Sequence, residues 1–170
     1  LANYYEHTLS ELAQSNSALP PYHCFQSRTN GLIANAGVLK TELRGRVVMA
    51  PLIVVNFKTY ASAQGEAAVS LAKAMAEVDE TTDATMVAVV SAFDLSAVKA
   101  AAPNLEVWTQ HLDPIGWGSN TGWLHPETAI GYGATGSIIN HAEHKVDLGH
   151  VEKLLAQLPD DFPVCACAAN

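Results

Sequence analysis

Residues 131–144 read GYGATGSIINHAEH, and the direction in which this stretch runs decides the fold. Its first six residues, Gly131 to Gly136, have the G-x-G-x-x-G spacing of a dinucleotide loop. Such a loop must follow a strand and open a helix, because only then do its amides and the helix dipole face the pyrophosphate. Here the order is reversed. The segment before it, PETAIGYG (126–133), is helical in pattern, with Pro126 suited to a first turn. The segment after it, GSIIN (136–140), is a short apolar strand. Gly131 or Gly133 is therefore expected to end the helix in a left-handed conformation, and Gly136 to permit close approach at the start of the strand. A site would lie at the strand's other end, where Asn140, His141, Glu143 and His144 follow.

The same alternation extends to both sides. LIVVNF (52–57), TMVAVV (85–90), LEVWTQH (105–111) and FPVCACAAN (162–170) are apolar runs with the character of strands buried on both faces. Between them GEAAVSLAKAMAEV (65–78) places Ala68, Leu71, Ala72 and Met75 on one helical face. DLSAVKAAA (94–102) is a short helix ended by Pro103 and Asn104. DLGHVEKLLAQL (147–158) has Asp147 as N-cap and Pro159 as its stop. The order β-α-β-α-β-loop-α-β-α-β requires parallel pairing with right-handed crossovers, in either a doubly wound sheet or a (β/α) barrel. A doubly wound oxidoreductase would need a glycine-rich turn after the first strand, and NFKTYASAQGE offers one glycine.

Two regions differ in character. Residues 49–170 carry the periodic pattern, whereas residues 1–48 are rich in Asn, Gln, Ser and Tyr and show no sustained period. The first 48 residues are read as an irregular extension, either disordered or an upstream read-through, whose removal should leave the rest unchanged. The net charge of −8 argues against nucleic acid and anionic membrane as partners. Three cysteines, two of them two positions apart, do not make a disulfide framework, and the expected setting is cytoplasmic.

In both parallel architectures sites form at the carboxyl ends of the strands. Those ends carry Asn56 and Lys58, then Gln110 and His111, then Asn140, His141 and Glu143, and finally Asn170. A lysine two residues beyond a buried strand is unexpected there. His111 reads equally as a satisfied core histidine and as a substrate contact. His141, His144 and Glu143 have an H-x-x-H spacing with a nearby acid, but no third ligand has a compelling spacing and no metal is expected.

Taken together, PLIVVNFKTY, WTQHLDPIGWGSNTGWLHPE and GSIINHAEH resemble the triosephosphate isomerases, in the form of the shorter archaeal enzymes. The resemblance runs from Met49 to Asn170 and implies the first five strands of an eight-stranded TIM barrel, hence an incomplete (β/α)8 fold preceded by the irregular extension. It implies interconversion of dihydroxyacetone phosphate and D-glyceraldehyde 3-phosphate without a cofactor. Asn56 and Lys58 match the substrate-binding asparagine and lysine, with Lys58 offsetting phosphate and enediolate charge. His141 matches the electrophilic histidine, whose pKa a following helical turn would lower. Glu143 matches the structural acid near the lysine, and Thr121 the loop tip that enters the neighbouring subunit's site in a dimer or tetramer. Ala142 stands where the family usually has serine.

The family's general base is a glutamate on a sixth strand, and its phosphate grip comes from later strands still. Neither is found after strand five or upstream of Met49, so the sequence implies a chain that is C-terminally truncated and inactive alone. It also implies strands one and five left as bare edges, with poor solubility. The other functional class left open is a non-catalytic half-barrel that binds or assembles.

Overall fold

The structure, a computed structural model, describes residues 51–168 and, in the preceding region, only the backbone of strand pieces at 6–7, 23–25, 42–43 and 46–47. The expectations of disorder, read-through and dispensability for residues 1–48 otherwise lie outside the described residues.

Five parallel strands follow one another in chain order: β1 (Leu52–Asn56), β2 (Thr85–Val90), β3 (Glu106–Thr109), β4 (Gly136–Ile139) and β5 (Val164–Ala168). Helices α1 (Glu66–Thr81), α2 (Leu95–Ala101), α3 (Pro126–Gly131) and α4 (Leu148–Gln157) cross between them. This curled sheet of βα units is half of a TIM barrel, one of the two arrangements the alternating pattern allows and the one the resemblance implies.

Both edges of the five-stranded arc are covered. Glu6–His7 pairs parallel with β1, and His23–Phe25 pairs antiparallel with β5. The bare edges inferred from the sequence are thereby corrected: a row of unpaired N–H and C=O groups takes up backbone from elsewhere in the chain when it can. Cys165 is disulfide-bonded, against the expectation from the cysteine count.

The period of two along each strand builds two apolar layers. Val55, Ala88, Val90, Val107, Ile139 and Val164 face outward and pack with Ala68, Ala72 and Met75 of α1, Val98 of α2 and Leu154 of α4. Leu71, expected on the buried face of α1, is only partly covered. Val54, Val87, Val89, Trp108, Ile138 and Cys165 face inward and form the second layer. Val89, Trp108 and Gly136 lie side by side in the register. A Cβ at Gly136 would come within 2.4 Å of the Trp108 ring, so the absence of a side chain there is what lets the indole lie across β4.

The glycine stretch behaves as its order demands. Gly131 is the last residue of α3, Gly133 takes φ +97° just beyond it, and Gly136 opens β4. Pro126 occupies the first turn of α3, and Asp147 caps α4 by accepting the His150 N–H at 2.7 Å. The cap of α3 escapes sequence reading: it is a histidine, His125, which accepts the Thr128 N–H at 3.2 Å through Nδ1.

Candidate functional site

The inward positions just above the apolar layer carry amides. Asn56 comes two residues after Val54, Gln110 two after Trp108 and Asn140 two after Ile138. Asn56 is buried, and its Oδ1 accepts the Lys58 N–H at 2.9 Å and the Gln110 amide at 3.3 Å. Gln110 Nε2 also donates to the Lys58 carbonyl at 2.8 Å, which Gln64 Nε2 reaches at 3.0 Å. These bonds hold Lys58 at φ +50°. A left-handed backbone costs a residue with a Cβ on the order of 1–2 kcal/mol, so the surrounding hydrogen bonds have to impose it. The Lys58 Nζ then lies 3.3 Å from Glu143 Oε1, the lysine side chain 14% exposed and the glutamate 62%.

Asn140, at the end of β4, is the other non-glycine residue with positive φ among those described, at +59°. Its Nδ2 donates to the Cys167 carbonyl at 2.8 Å, and its Oδ1 accepts the Val146 N–H at 3.0 Å. The chain then makes a tight turn, closed by the His144 N–H on the His141 carbonyl at 2.8 Å. Within it the Glu143 N–H donates to His141 Nδ1 at 3.2 Å, while Glu143 Oε2 lies 3.6 Å from the same nitrogen. The two neighbours ask for opposite states of Nδ1. The amide is in bonding range and its hydrogen is fixed; the carboxylate is beyond that range and largely solvated. Nδ1 is therefore the acceptor, and a neutral imidazole here carries its proton on Nε2.

The structure thus brings Asn56, Lys58, His141 and Glu143 together at one end of the sheet and adds Gln110 and Gln64, which hold the Lys58 backbone. Thr121 stands apart. It is exposed in the turn of the 112–125 loop, next to Gly122 at φ +88°. The base of that loop is fastened by the Asp113 N–H on the Leu124 carbonyl at 2.9 Å and the Leu124 N–H on Asp113 Oδ2 at 2.7 Å.

The H-x-x-H pair divides. His141 joins Lys58 and Glu143, whereas His144 stacks on His111 with ring centroids 4.1 Å apart. His111 is a buried histidine with partners: Nε2 lies 3.2 Å from Asp113 Oδ1, and the His150 ring is 5.3 Å away. Burial lowers the His111 pKa below 6.5, the Asp113 hydrogen bond opposes this, and the neighbouring His144 and His150 lower it further. Asp113 and His150 escape the sequence reading because they lie on different elements. The two-residue spacing of His111 and Asp113 beyond a buried strand was the available signal.

The family model described as triosephosphate isomerase matches residues 51–160. A triosephosphate isomerase of Methanobrevibacter smithii is 35% identical over 71% of this chain and 54% of its own length. One of Methanothermus fervidus is 35% identical over 71% and 54% likewise. The crystal structure of the Bartonella henselae enzyme aligns with 56% of this chain and 39% of its own, at 23% identity and a TM-score of 0.47. The chain spans about half the length of the curated relatives it matches. No helix among the described residues is long and apolar enough to cross a membrane. With its match extending from β1 through α4, the chain belongs to the triosephosphate isomerase family.

Proposed function

We propose that residues 49–170 supply the electrophilic half of a triosephosphate isomerase site, which interconverts dihydroxyacetone phosphate and D-glyceraldehyde 3-phosphate without a cofactor. Asn56 and Lys58 bind the substrate, and the Lys58 ammonium offsets the charge of the phosphate and of the enediolate. His141 donates from Nε2 to the substrate oxygens as charge develops on them. Glu143 holds Lys58 in place. The base that takes the α-proton is, in the family, a glutamate of a sixth strand, beyond the five described. Thr121 reaches a neighbouring subunit's site in a dimer or tetramer.

The observation that supports this reading best is the donation from the Glu143 N–H to His141 Nδ1 at 3.2 Å. It supports a proton on Nε2, from which the imidazole would donate. The test is to join the remaining strands of a close relative to residues 49–170 and assay isomerisation of glyceraldehyde 3-phosphate. Enzyme-like turnover is expected from the joined barrel and none from residues 1–170 alone. His141→Gln in the joined barrel should remove most of that activity. Turnover by the unextended chain, or a joined barrel indifferent to His141→Gln, would show the roles to be misassigned.

A further inference from the structure

His111, Asp113 and His150 converge from three separate places in the fold: the end of β3, the base of the 112–125 loop and the first turn of α4. One ligand atom from each lies within 4.8 Å of the others. The proposed chemistry at the mouth uses none of them. We propose that these three side chains form a binding site for a divalent transition metal of the zinc class, which fastens the base of the 112–125 loop to α4.

The spacing fits such an ion. In a tetrahedron with bonds of about 2.0–2.1 Å, neighbouring ligand atoms are about 3.3 Å apart. His111 Nε2 and Asp113 Oδ1 stand 3.2 Å apart, already one edge of that figure. The third ligand has to close by roughly 1.5 Å at most, a movement that a side-chain rotation of His150 on its helix can supply. Two imidazoles and one carboxylate favour zinc, cobalt or nickel over magnesium or calcium, which take all-oxygen sets. Three protein ligands leave a fourth position for water.

The surroundings restrain the ligands as outer partners do in metal sites. Asp113 Oδ2 accepts the Leu124 N–H at 2.7 Å, which leaves Oδ1 toward His111. His150 Nε2 lies 3.0 Å from the Leu112 carbonyl, an acceptor for its proton when Nδ1 is the metal ligand. A purely structural network would also bind loop to helix through these contacts, but it would take up no metal.

The decisive experiment uses the full 170-residue chain without a polyhistidine tag, stripped with a chelator and then titrated. Zinc is followed by calorimetry and cobalt by its visible d–d bands. One equivalent should bind per chain at micromolar concentration or below, and zinc should raise the melting temperature until chelator is added. His150→Gln should weaken binding on the order of 1,000-fold or more, beyond the roughly 10–100-fold that loss of an outer partner typically causes. His144→Gln, outside the ligand set, should bind within a few-fold of the parent. Asp113→Asn, which keeps the shape of the side chain but not its charge, gives a second reading if His150→Gln does not fold, and should weaken zinc binding likewise. The proposal fails if no stoichiometric uptake occurs, if His150→Gln binds as tightly as the parent, or if only His141→Gln abolishes binding.

Discussion

Two groups of histidines and acids stand beyond the carboxyl ends of neighbouring strands and differ in what surrounds them. At the mouth of the half-barrel His141 and Lys58 meet Glu143, whose side chain is 62% exposed, and hydrogen bonds impose a left-handed backbone at Lys58 and Asn140. Behind the sheet His111 and Asp113 are buried, each with a defined partner. Gln110 belongs to the first group and the next residue, His111, to the second. The difference shows how strand alternation lets adjacent residues serve unrelated ends. A largely covered lysine and histidine beside an exposed carboxylate suit a site that must receive a ligand, whereas buried, mutually bonded side chains suit a fastening.

If the two groups are separate, substitutions should divide into those that cost turnover and those that cost stability. The largest effect is expected at the mouth. In the joined barrel His141→Gln should lower kcat by on the order of 10² to 10⁴, while the midpoint of urea unfolding stays put. A parallel loss of stability would merge the two groups. Next comes Asp113→Ala, which strands the Leu124 N–H and the His111 ring together. Leaving buried polar partners unsatisfied costs about 1–3 kcal/mol each, so the unfolding midpoint should fall clearly at unchanged m. An unaltered midpoint would mean that the loop base is not fastened there.

The pH dependence of stability sharpens the contrast. His111 has its folded pKa below 6.5, so the unfolded chain takes up its proton first as pH falls. Its contribution to stability is full above 6.5 and is lost as pH drops from there through the folded pKa. Melting temperatures from pH 8 downward should show this decline, and His111→Asn should flatten it; an equally steep decline in the variant would assign the effect elsewhere. The smallest effect on stability is expected from Lys58→Gly. Glycine relieves a left-handed backbone worth on the order of 1 kcal/mol, and the Glu143 ion pair lost in exchange has a largely solvated partner, worth under about 1 kcal/mol. Stability should therefore shift little while turnover of the joined barrel collapses. A marked loss of stability would make Lys58 a structural residue.

Much of this was legible in the sequence, and the reason is periodicity. The apolar runs that became β1 to β5 are short and β-branched, and their inward members can be counted off in twos from Val54, Trp108 and Ile138 to the amides above them. The order of α3, glycines and β4 was readable because each glycine had one backbone task that fitted. What stayed hidden depends on tertiary approach. His150 meets His111 only because the start of α4 comes back beside the chain leaving β3. The His125 cap uses a residue type rarely assigned that role. Strand edges carry no side-chain signature of what will cover them, so the pairing of His23–Phe25 with β5 could not be counted off.

Sheet order has a consequence for how the chain comes together in time. From β1 through β5, every strand lies beside the one synthesised just before it. Each βα unit can dock on a template already in place, so the loop closed at each step stays short and its entropic cost low. Assembly can keep pace with a ribosome that adds on the order of 5–20 residues per second. The antiparallel pairing of His23–Phe25 with β5 breaks this sequence, since its two partners are made more than a hundred residues apart. It is the contact that must wait, and during the wait the growing edge of the sheet is the face a chaperone would have to guard.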